Sequence, residues 1–386
     1  MKKSFWLIIA LACVGSICLF FYVADLCNNA EDNIKPSKLP EGIFDTENTT
    51  EKQHELEEQQ KNYDTWGIER IWEIGFGYNE NATQDDIDHI GKLIHLKRLE
   101  ISIGESEIDL SPLGNLVELE SLDIFIQYGC SPDLSFVEKL SKLEKLDISV
   151  GSEVVDLSPL GSLSKLRQLT MAAYGVDVND LSFLRKLNRL EEVIFIKICT
   201  IEDLSLFQNM PYLRELNIEY VGDCDLNYLA DLKNLETLVI TGENIRNPEG
   251  LSNLTHLKLL SLCDNSSDAM YGNTEREPFD LQPFANLKKL EWLDLAYVII
   301  EDISPLAELK KIREINLVDT NVRDISSLMS LDNLDVLYLF GNSSELVKEQ
   351  AETFFHEIKH MIVTEEIPYD YRYSKRHNYF YFAQKP

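Results

Sequence analysis

Basic residues are scarce in this chain: 36 Lys and Arg stand against 66 Asp and Glu, for a formal net charge of −30 and a pI near 4.6. Phosphate backbones are gripped by clustered Lys and Arg, so nucleic acid is excluded as a partner. The acidic balance serves solubility and favours partners with basic surfaces. Cysteine is sparse as well, and Cys13, Cys18, Cys27, Cys130, Cys199, Cys224 and Cys263 never fall at the C-x-x-C spacing of metal or redox sites. Cys199 and Cys224 follow the expected strands of adjacent coils, where a bridge is conceivable outside the cytoplasm, although isolated buried thiols are the simpler reading. There is no glycine-rich phosphate loop, no dinucleotide fingerprint and no nucleophile with a partnered base, so neither an enzyme nor a cofactor is expected.

What the chain has in abundance is one phrase. Leucine or a stand-in, two variable residues, leucine, one variable residue and a third apolar residue recur eleven times between His95 and Gly341. Leu119-Leu122-Ile124, Leu143-Leu146-Ile148, Leu235-Leu238-Ile240 and Leu334-Leu337-Leu339 are clear copies, and first positions fall mostly 22 to 24 residues apart. A fixed period of this size means one unit stacked many times, each burying its apolar edge only against its neighbours. Many copies close in Asp-Leu/Ile-Ser-Pro-Leu, as at Asp109–Leu113, Asp156–Leu160 and Asp302–Leu306. Ser followed by Pro is a helix start, the hydroxyl capping free N–H groups and proline having none to lose. The few residues left before the next strand allow only one or two helical turns, in part 3₁₀. The expected fold is an α/β solenoid with a parallel concave sheet on the order of 50 Å long at about 4.8 Å per strand.

The 22-residue unit ending in D-[LI]-S-P-L resembles the bacterial internalin-like leucine-rich-repeat class, also seen in phosphatase-regulating repeat proteins, over about two thirds of the chain. The resemblance implies a horseshoe or arc, and adhesion to or recognition of another protein. That class usually places asparagine after the strand to satisfy turn backbone, whereas here only Asn265 and Asn342 stand there, with Glu243, Val298 and Thr320 in other copies. The LPXTG sorting motif of many internalins is absent, which suits a membrane-held protein.

Residues 1–4 read as a cytoplasmic stub, and 5–23 as a signal anchor: Phe5 to Val23 carries no charge, Lys2 and Lys3 precede it, and Asp25, Glu31 and Asp32 follow. Nineteen residues at about 1.5 Å each reach roughly 28 Å, enough to cross the hydrocarbon core. The charge asymmetry puts the remainder outside the cytoplasm, at the periplasm or cell surface. A lipoprotein cleavage site at Ala10–Cys13 is the rival reading. Residues 24–62 form an acidic spacer without apolar periodicity, 63–94 an N-terminal cap, 95–342 the repeats, and 343–386 a capping helix over about 344–363 with an aromatic tail.

In the strand phrase the leucines point inward, so the residues between them face out on the sheet. That placement makes Asp123, Asp147, Ile194, Ile196, Trp292, Asp294, Tyr338 and Phe340 candidate partner-binding residues, the aromatic ones having the chemistry of interface anchors. Leu257 to Leu290 spans 33 residues, so about eleven extra residues within Asp264–Phe279 must leave the solenoid as a loop, and Tyr271 in it is a further candidate. His356-Glu357-Ile358-Lys359-His360 matches H-E-x-x-H, a zinc-hydrolase spacing when helical. A charged Lys359 and the missing third ligand make His356 and His360 weak metal candidates on an otherwise structural helix. The sequence thus predicts a monomeric, membrane-anchored protein binder. The alternatives are an envelope scaffold that regulates a same-cell enzyme or assembly and, remotely, a zinc hydrolase.

Overall fold

A computed structural model describes residues 73–75, 81–105, 107–151, 155–173, 178, 180–196, 201, 204–264, 278–339, 341–342, 346–347, 349–350 and 360–362. All lie in the unit Thr50–Thr364. Thirteen parallel strands form one sheet in sequence order. The first, β1 (Glu73–Gly75), precedes helix α1 (Gln84–Ile90). Six repeat strands follow: β2 (Arg98–Ile103), β3 (Ser121–Ile126), β4 (Lys145–Val150), β5 (Gln168–Ala173), β6 (Glu192–Ile196) and β7 (Glu215–Asp225). Then come β8 (Thr237–Arg246), β9 (Leu259–Asp264), β10 (Trp292–Asp294), β11 (Glu314–Asn316), β12 (Val336–Tyr338) and β13 (His360–Ile362). Strands β2 to β12 are the eleven sequence phrases, and β1 and β13 extend the sheet by one strand at each end.

The return limbs are 3₁₀ turns such as Ser111–Asn115, Ser158–Ser162 and Ser304–Glu308. From β3 to β5 pairing is in phase, so Leu122, Leu146 and Leu169 stack in one column and Ile124, Ile148 and Met171 in the next. These side chains are at most 2% exposed and belong to one continuous core. In two of the turns without proline, Phe136 and Phe183 stand in its place and are buried in the core.

The turns are not capped by serine as expected. Asp109 Oδ1 accepts from the Ser111 N–H at 2.9 Å, and Asp133, Asp156, Asp180, Asp225, Asp280, Asp302 and Asp324 make the same bond two residues on. A carboxylate is the stronger acceptor and reaches the first orphan N–H two residues on, so at these turns the aspartate outcompetes the serine. Asp225, which also lies 3.6 Å from Arg246, gives a test. Asp225→Ala should lower the unfolding free energy by about 1–2 kcal/mol in urea titration, while Asp225→Asn keeps most of the cap. Equal losses would show that charge pairing, not capping, is what counts.

Two expectations about the ends of elements change. Leu346, Val347, Glu349 and Gln350 are helical, but the helix does not reach residue 363, because His360–Ile362 pairs parallel with β12. Through His360–Ile362 the chain satisfies the open edge of β12, which an added helical turn would leave unpaired. Cys224 lies inside β7, not after it, because β7 and β8 run to eleven and ten residues. Their pairing carries register shifts between Glu219 and Asp225. At Gly242 a Cβ would sit 2.5 Å from the Val221 carbonyl oxygen, so only glycine fits there. Cys130, Cys224 and Cys263 are buried, and Cys199 lies outside the described residues. Asn342 performs the expected turn duty: its amide donates to Leu317 and Leu339 carbonyls and its Oδ1 accepts from Val322 N–H.

Among the described residues no helix is long and apolar enough to cross a membrane; Phe5–Val23 lies outside them.

Candidate protein-binding face

The register fixes two full columns of outward-pointing side chains. The first runs Arg98, Ser121, Lys145, Gln168, Glu192, Glu215, Thr237, Leu259, Trp292, Glu314, Val336. The second runs Glu100, Asp123, Asp147, Thr170, Ile194, Asn217, Val239, Ser261, Asp294, Asn316, Tyr338. A third, shorter column includes Phe125, Ile196 and Cys263.

Just ahead of the first column lies a ladder that single-strand reading misses. Its backbone N–H groups donate from each rung to the carbonyl of the one before, unbroken from Lys97 through Glu120, Glu144, Arg167, Glu191, Arg214, Glu236, Lys258, Glu291 and Arg313 to Asp335. The side chains alternate in sign along most of it. Lys97 meets Glu120 at 3.0 Å, Arg167 meets Glu191 at 2.8 Å, and Arg313 meets Asp335 at 2.9 Å. Glu236 is held between Arg214 and Lys258. Each exposed pair adds little stability. The larger consequence is distribution: the cations of this edge are paired with its own acids, and in the two neighbouring concave columns carboxylates outnumber the cations Arg98 and Lys145.

Crowding and burial then hold several of these acids partly protonated near neutrality. Burial, with Asp147 and Glu100 on either side, raises the Asp123 carboxyl to about 7, and Lys145 opposes the shift only in part. Lys145 spends itself on Asp147, 2.8 Å away. Burial and Glu192 raise Glu215 to about 7, and burial and Asp294 do the same to Glu314. The Tyr338 hydroxyl is pushed up to about 12 by burial, Glu314 and Asp294. Groups raised by burial and like charge are ones that a neighbouring cation would return toward the ionised form.

The structure brings Trp292, Asp294 and Tyr338 together on β10 and β12, with Glu314 and Asn316 between them on β11. Trp292 is 44% exposed, a large apolar side chain left open to solvent. Asp123 and Asp147 sit side by side at the other end of the sheet. Ile194 lies in the second column but is only 7% exposed, so its part is to fill the floor, while Ile196 is half-buried. Phe340, Tyr271 and His356 lie outside the described residues. His360 begins a strand, which removes it from the one-face helical geometry that H-E-x-x-H needs. Among the described residues no group of three or more His, Cys, Asp or Glu is placed to hold a metal.

No protein-family model and no curated protein matches the chain. Solved structures do. An internalin of Listeria monocytogenes, InlF, superposes with a TM-score of 0.61 at 25% identity, over 83% of this chain and 85% of that one. A leucine-rich-repeat protein of Leptospira interrogans gives 0.42 at 16% identity over 78% and 97%, and internalin C2 of Listeria monocytogenes gives 0.29 at 24% over 67% and 84%. With its thirteen-strand parallel sheet, 3₁₀ return limbs and one Asp-capped turn after another, the chain is an internalin-like leucine-rich-repeat protein.

Proposed function

We propose that this protein is held in a membrane by Phe5–Val23 and presents its repeats outside the cytoplasm, where the concave sheet binds another protein in adhesion or recognition. The observation that carries the reading is the group around Trp292: an exposed indole beside carboxylates on a rigid, continuous sheet. Exposed aromatic residues ringed by polar groups are the usual anchors of protein interfaces. The protein acts as a monomer, each copy supplying one whole face.

Protease added to intact cells should degrade the repeat unit while a cytoplasmic control survives, as read by immunoblot. Protection lost only on permeabilising an outer layer would relocate the protein to the periplasm and favour an envelope scaffold. Protection until the inner membrane is lysed would overturn the topology.

A further inference from the structure

Resting on that reading, we infer that the C-terminal third of the concave sheet is a subsite for a single lysine or arginine side chain of an extended segment of the partner protein. Trp292, Asp294, Glu314, Asn316 and Tyr338 form its walls, and Ser261 borders it.

The geometry comes from register. Trp292 lies beside Glu314, and Asp294 beside Asn316 and then Tyr338, on strands about 4.8 Å apart. Glu314 makes no hydrogen bond or ion pair among the described residues, and no described cation shifts its titration. A cation placed over this grid lies near two carboxylates and an exposed indole, groups that attract ammonium and guanidinium ions.

Two further groups point to a ligand with a peptide backbone. Asn316 is 3% exposed, its Oδ1 accepts from Val318 N–H at 3.1 Å, and its Nδ2 has no partner. The hydroxyl of Ser261, also 3% exposed and next to Asp294 in the same column, has none either. Buried amide hydrogens without acceptors are rare. Here both donors flank Asp294 in one column, so a main-chain carbonyl arriving with a cation drawn to the carboxylates completes the set. A free polyamine or metal ion brings no carbonyl. An anionic surface is repelled by Asp294 and Glu314.

The test uses the full chain in nonionic detergent and saturation-transfer NMR, with Nα-acetyl-lysine amide and Nα-acetyl-arginine amide as probes and Nα-acetyl-norleucine amide as the uncharged control. Both cationic amides should bind. Their affinity should fall roughly tenfold in Glu314→Gln and in Trp292→Ala, and stay within about twofold in Glu138→Gln, an exposed acid on the 3₁₀ turn Ser135–Lys139. Thermal unfolding of each variant checks that the fold is kept, and Trp292→Phe should recover most of the loss. Equal binding of the norleucine amide, or equal loss in Glu138→Gln and Glu314→Gln, would overturn the subsite and leave only an apolar patch or a diffuse acidic field. Failure here leaves protein binding elsewhere on the face intact. A chain that takes up the lysine amide yet meets no protein through this face keeps the subsite and loses the proposed function.

Discussion

Phe207→Ala should be among the most destabilising single substitutions in this chain, at about 3–5 kcal/mol. Phe207 ends the 3₁₀ turn Leu204–Phe207 and is fully buried, with its ring centre 6.2 Å from that of Phe195 at a tilt of 54°. Phe195 is itself the third apolar residue of β6, so the pair ties a return limb to the sheet within one coil. Truncation to alanine removes both the buried area and the edge contact, and a stack packed coil against coil cannot collapse around the gap. Because each coil is stabilised mainly by its neighbours, the damage should be local. Hydrogen exchange should accelerate first in β6 and β7 and only later in β2 and β3. A loss below about 1 kcal/mol, or uniform acceleration along the sheet, would contradict a nearest-neighbour solenoid.

The second large effect is with pH. Asp123, Glu215 and Glu314 titrate near 7 when folded and in the ordinary carboxylate range when unfolded. Between about pH 4 and 7 the folded state therefore holds more protons than the unfolded state, and stability falls as pH rises through that window. Above it both states are ionised and the dependence flattens. The capping aspartates act in the opposite sense. Backbone and side-chain bonds from Ser111, Ser182 and Ser326 lower Asp109, Asp180 and Asp324, so what they contribute is present above the unfolded range and lost as pH falls below about 4. The melting temperature should accordingly peak near pH 4.5–5.5 and drop by several degrees at pH 8. The overall charge of −30 adds to the same slope. Substituting Asp123→Asn, Glu215→Gln and Glu314→Gln together should remove much of it, whereas an unchanged slope in the triple variant would show that general repulsion alone is responsible.

The repeat was legible from its own letters because solenoid geometry is local: period 22 to 24 and alternation within each phrase place its three apolar positions inside, and the concave columns follow by counting. The aspartate in D-[LI]-S-P-L was visible as well, but its role was hidden by the helix-start chemistry of Ser-Pro. The charge ladder was not legible, since Arg167 and Glu191, 24 residues apart, become neighbours only once register is set. Nor were the long β7 and β8, whose extra pairing past Ile218 and Ile240 depends on Val221 packing against Gly242. At the C-terminal end, helical periodicity in residues 344–363 masked the pull of an unpaired sheet edge on His360–Ile362. Trp292 was placed correctly on the face, while its companions Glu314 and Asn316 were recognised only when three strands were laid side by side.

The central claim is that the protein meets its partner through the concave sheet. It is tested most directly by placing a photo-crosslinking amino acid at Trp292 and, separately, at Met329, which is 49% exposed on the 3₁₀ turn Ser326–Ser330. Illuminating cells that display the protein, in contact with the cells it recognises, should yield a discrete protein adduct from position 292 and none from position 329. Adducts from position 329 with none from position 292 would move the interface to the return-limb side and contradict the account.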